Sequence, residues 1–132
     1  MRLPFLPRTG AILGAALMVV FASTACVPAT TLPDDCDAAS VQRQATLAGE
    51  ALDPSTIEVC RGQQVSIEFT IQRDATFHLH GYDDQVPAQE VHSGETVTFT
   101  FDATQAGQFP IEIHTHDGPA EATAGTLVVN EP

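Results

Sequence analysis

Apolar and polar residues alternate along most of the second half of this chain. In VSIEFTI, Val65, Ile67, Phe69 and Ile71 fall to one side and Ser66, Glu68 and Thr70 to the other. VTFTF repeats the pattern with Val97, Phe99 and Phe101, and FPIEI with Phe109, Ile111 and Ile113. TIEV and TLVV are shorter runs of the same kind. Successive side chains of a strand point to opposite faces, so this alternation predicts strands with one face in a core. Turn-forming clusters separate the runs: RGQQ, QRDA, HSGE, DATQAGQ and HDGPAEATAG. Short alternating strands at regular spacing, joined by glycine-bearing turns, predict an all-β fold, an antiparallel sandwich. Residues 41–52 are ambiguous, partly helical in character or equally the first strand. Pro54 stops any helix there.

The N-terminal pattern is different. Arg2 and Arg8 precede the apolar run GAILGAALMVVFA, which has the length of a signal-peptide core. A membrane span would need roughly 20 apolar residues. The ending FASTAC resembles a bacterial lipoprotein signal, in which the cysteine after the cleavage site is acylated. Ser23 departs from that pattern, where leucine is usual, and a general secretory signal cleaved near Ala25 is the alternative. The resemblance implies that Cys26 carries lipid and anchors the protein to the extracytoplasmic face of a cell membrane. Cysteine parity agrees with it. The chain has three cysteines, and acylating Cys26 leaves Cys36 and Cys60 to form a disulfide in an oxidising compartment. The expected organisation is a signal peptide over 1–25, an acylated cysteine and Pro/Thr/Asp-rich tether over 26–40, and one β domain over 41–132.

Charge narrows the partners. The chain has 17 acids against 5 arginines and no lysine, a formal charge of −12. Losing Arg2 and Arg8 with residues 1–25 takes it to −14. Nucleic acid is excluded as a partner, because phosphate binding needs a basic face. Such a field attracts cations, and it also keeps a surface protein soluble.

The histidines supply the candidate chemistry. FHLHG and IEIHTH place His78 with His80, and His114 with His116, as two His-x-His pairs. Residues i and i+2 of a strand point the same way, with Cβ atoms about 6–7 Å apart, close enough for two imidazoles to hold one ion. Imidazole binds Cu(II) most tightly among common divalent metals, with zinc the alternative. Phe77 and Leu79 alternate with the first pair, so either the apolar or the histidine set faces the core. Both arrangements stay open. Asp83, Asp84 and Asp117 lie near the pairs as possible acceptors for imidazole N–H groups. His92 reads as an exposed turn residue and Tyr82 as a core or rim aromatic.

The order of these signals over residues 45–129 resembles the cupredoxin family. LDPSTIEVCRGQQVSIEFTI is similar to its opening strands, FHLHGYD lies where it carries a first histidine ligand, and AGTLVV matches its closing strand. VHSGETVTFTFDATQAGQFPIEIHTH is similar to its strand leading to Cys-x-x-His. The resemblance implies a cupredoxin-like Greek-key antiparallel β-sandwich, with the first histidine turned inward. Ile113 occupies the family's cysteine position and His116 its second histidine position, while GPAEATAG lacks the methionine. Blue copper requires a thiolate, so blue electron transfer is excluded. The pairs also resemble copper-holding segments of multicopper oxidases, with Thr115 in place of a cysteine; those clusters form between domains. The resulting expectation is a non-enzymatic, membrane-anchored protein that binds copper for storage or delivery. A metal-free module docking on an envelope protein is the alternative, and a small copper enzyme ranks last.

Overall fold

The computed structural model describes residues 31–115 and 121–132. The signal peptide, Cys26, His116 and Asp117 lie outside them. Among the described residues nine strands form: β1 Ser40–Ala48, β2 Ala51–Asp53, β3 Thr56–Cys60, β4 Gln64–Ile71, β5 Ala75–Leu79, β6 Gln89–Val91, β7 Thr96–Asp102, β8 Gly107–His114 and β9 Ala122–Asn130. They make two sheets, a four-stranded one in the order β2-β1-β4-β7 and a five-stranded one in the order β3-β9-β8-β5-β6.

The alternating runs deliver the core. Val65, Ile67, Phe69 and Ile71 of β4 are buried, as are Phe99 and Phe101 of β7, Ile111 and Ile113 of β8, and Leu127 and Val129 of β9. Phe69, Phe77 and Phe99 meet at the centre with ring centroids 5.0–5.7 Å apart, at tilted or edge-on angles. Burying each such ring contributes about 1.5–3 kcal/mol. The ambiguous stretch is a strand. β1 pairs with β4 over eight residues, and Val41, Ala45 and Leu47 point inward.

Strand direction departs from expectation. Among the described residues β1 runs parallel to β4, and β3 parallel to β9; the other pairings are antiparallel. Parallel neighbours need a long connection rather than a hairpin. Here β2 and β3 supply it between β1 and β4, with the chain changing sheets on the way.

The end of the linker is docked on the domain. A Cys36–Cys60 disulfide forms, with Cα atoms 5.3 Å apart. Arg43 donates two 2.9 Å bonds to the Asp35 carboxylate. The side-chain amide of buried Gln63 accepts from Cys60 N at 2.7 Å and donates to the carbonyls of Asp35 and Ala38 at 2.7 and 3.2 Å. A buried amide satisfied this fully costs little to bury.

Candidate metal centre

Pairing of β5 with β8 builds the candidate site. Phe77 and Leu79 are fully buried, so His78 and His80 project from the outer face of the five-stranded sheet. This resolves the open register against the inward-turned first histidine that the cupredoxin resemblance implied: two large apolar side chains outweigh two imidazoles for the core. Tyr82, not a histidine, turns inward after β5, tilted against Phe101 and edge-on to Phe109, with its hydroxyl donating to Gln105 O at 3.2 Å. Burial raises its pKa.

On β8, Ile111 and Ile113 face the core while Glu112 and His114 face out. Register then puts Glu112 directly across from His78, and His114 across from Thr76. The His78 and His80 rings lie 4.0 Å apart, and those of His78 and His114 6.5 Å. A bulge between Ile111 and Glu112 in the β8–β9 ladder places Thr123 opposite Glu112 and leaves Ala124 as the extra residue. Bulges re-aim side chains in this way. The adjoining Gly125 cannot carry a Cβ, which would sit 2.8 Å from Ser55 O.

Carboxylates complete the cluster. His80 Nε2 lies 2.5 Å from Glu112 Oε2 and 4.0 Å from Glu121 Oε1. His78 Nε2 contacts Asp83 Oδ1, and the other Asp83 oxygen accepts from Gly81 N at 3.1 Å. That turn needs a glycine: Gly81 has φ +82, and a Cβ there would meet Phe109. The hydrogen bond from His78 holds the Asp83 carboxyl below its usual range. Glu112 and Glu121 are hydrogen-bonded to each other; this lowers Glu112, which His80 also stabilises as an anion, and raises Glu121.

Among the described residues, three groups of side chains can each offer ligand atoms within 4.8 Å of one another: His78–Glu112–His114, His78–His80–Asp83, and His80–Glu112–Glu121. Three of the four histidines proposed from the sequence therefore share one face; His116 lies outside the described residues. His92 is exposed and 3.8 Å from Asp74, away from the cluster. Asp83 reaches an imidazole as its position suggested, whereas Glu112 and Glu121 were missed. Glu112 was legible in IEIH, where it stands two residues before His114 on the same side of a strand. Glu121 had no such signal.

The donor set decides which metal chemistry fits. Cys36 and Cys60 are bonded to each other, so among the described residues no cysteine offers a free thiolate. A thiolate copper centre does not fit. Imidazole and carboxylate on the outer face fit Cu(II) or Zn(II).

No family model matches the sequence, and neither does any curated protein. Solved structures do match. Auracyanin A, a blue copper protein from Chloroflexus aurantiacus, shares 23% identity over 69% of this chain and 99% of its own, with a TM-score of 0.52. A blue copper oxidase from Nitrosomonas europaea aligns over 70% of this chain at 18% identity and TM-score 0.57, and a copper nitrite reductase from the same organism over 70% at 16% and 0.54. The alignments span only 39% of the oxidase and 42% of the reductase. The described domain is a cupredoxin-like β-sandwich.

Proposed function

We propose that this domain is a non-enzymatic metal-binding module, for Cu(II) first and Zn(II) as the alternative, and that it stores or delivers the ion. In this reading Cys26 bears a lipid that holds the module at the extracytoplasmic face of a cell membrane. The observation that carries the metal assignment is the convergence of His78, Glu112 and His114, one ligand atom each, within 4.8 Å. Their elements are fixed by the β5–β8 ladder, so little ordering opposes binding. His80, Asp83 and Glu121 surround them with further donors. The copper named in the matching proteins supports the choice of metal, while their enzymatic activities belong to chains more than twice the aligned length.

A bound ion would replace the contacts of His78 with Asp83 and of Glu112 with His80. Metal competes with protons for imidazole nitrogen, so uptake should weaken in acid. Without a thiolate, loaded protein should lack the intense visible absorption of blue copper. The test is Cu(II) titration of the full chain. His78→Ala and His114→Ala should each lower affinity at least about tenfold, since losing even a group that only orients a ligand costs about 10–100-fold. Unchanged uptake in both would refute the assignment. Fractionation of cells making Cys26→Ala tests the anchor separately: the variant should leave the membrane or stay unprocessed.

A further inference from the structure

The three described histidines of the two pairs, His78, His80 and His114, do not gather around one point. Among the described residues, no group within 4.8 Å contains both His80 and His114. His114 sits with His78 and Glu112, whereas His80 sits with Glu112 and Glu121. The two groups meet at a single residue, Glu112. We infer that this face holds two metal ions, the second on His80, Glu112 and Glu121, with the Glu112 carboxylate bridging them. The inference rests on the metal-binding reading above and extends it from one ion to two.

Three features carry it. A carboxylate has two oxygens and about four acceptor sites, so one glutamate can serve two cations at once. Glu112 is the most central donor: it is directly opposite His78 in the ladder, its oxygen is 2.5 Å from His80, and its side chain is only 15% exposed. The imidazoles of His78, on β5, and of His80, just after its end, stand 4.0 Å apart, centre to centre, one beside each group. A single ion on His78, Glu112 and His114 would leave His80 beside a second carboxylate, Glu121, 4.0 Å away.

Charge also favours two ions. Asp83, Glu112 and Glu121 place three carboxylates around three imidazoles, so a single dication leaves net negative charge. Two dications exceed the three carboxylates by one positive charge, within a chain whose formal charge is −12. The third group, His78–His80–Asp83, borrows an imidazole from each of the others. It competes with the pair of sites and adds no third ion. The second site has two carboxylates and one imidazole, a donor set that Zn(II) accepts as well as Cu(II), so Zn(II) serves to count the ions and Cu(II) to report their coupling.

Native mass spectrometry of the metal-free full chain titrated with Zn(II) counts the ions. The wild type should reach two per chain, and Glu121→Gln one. Glu90→Gln, on the edge strand β6, should still reach two, which separates the site from loose binding to surface acids. With two equivalents of Cu(II), carboxylate-bridged ions should couple magnetically, so the wild type should show fewer unpaired spins than copper ions by electron paramagnetic resonance. Glu121→Gln should show one spin per bound ion. A wild type that saturates at one ion, lost in His114→Ala, would leave the single-site reading standing and overturn the second site. Two ions in Glu121→Gln would overturn it as well. No uptake by the wild type would defeat both readings.

Discussion

At the scale of single residues, the decisive positions are polar side chains that the alternation assigns to no particular task. Gln63 reads as one letter of a turn, yet it satisfies one N–H and two carbonyls beneath the linker. Gln63→Leu should cost about 1–3 kcal/mol, the penalty for leaving buried polar groups unpaired. Urea denaturation of the two proteins measures it, and a difference within error would show that water takes the amide's place. Glu112 teaches the same lesson at the site. Histidine pairs attract notice because the residue is rare, whereas a glutamate in an acidic chain does not. What identifies it is strand parity with His114 and register opposite His78, and only parity can be read from sequence. Which face the histidines take was also legible in principle, because Phe77 and Leu79 claim the core.

At the scale of elements, period-two alternation predicted β4, β7, β8 and β9 because each buries one face. It carries no information on direction, which is why the parallel β1–β4 and β3–β9 pairs were not foreseen. β1 was ambiguous for a local reason. Arg43 stands in step with Val41, Ala45 and Leu47, interrupting the apolar series, and only the folded chain shows it half-buried on Asp35 and the Glu58 carbonyl. This ion pair predicts a pH effect. Arg43 holds the Asp35 carboxyl below its usual range, chiefly through their hydrogen bond. A carboxyl lowered in the folded state stabilises it at pH values above the unfolded value, about 3.9, and that contribution disappears as pH falls through the lowered one. Asp35→Asn should therefore be less stable than wild type at neutral pH, with the two converging in strong acid. Denaturation series at several pH values check this; a constant gap would refute it. The disulfide acts on the same region. Replacing Cys36 and Cys60 together by alanine should cost about 3 kcal/mol, the value for a loop of this size. Chemical denaturation with and without reductant reads the difference.

At the scale of the whole molecule, a hydrophobic sandwich supports a polar ladder on its outer surface, and the two have separate requirements. The core needs Phe69, Phe77 and Phe99; the candidate metal site needs the register of β5 and β8. One further property follows from where the disulfide sits. Cys36 and Cys60 are 24 residues apart in sequence, and β1, β2 and β3 all lie between them. A mechanical pull between the chain's ends cannot lengthen that segment, because load passes from sulfur to sulfur around it. At roughly 3.6 Å per residue, about 85 Å of contour stays hidden. Force spectroscopy should show that shortfall on stretching the oxidised protein and its recovery in reductant. If the N-terminus is held at a membrane, tension there crosses from Cys36 to Cys60 and reaches β4 first, and the three opening strands are not extended by it.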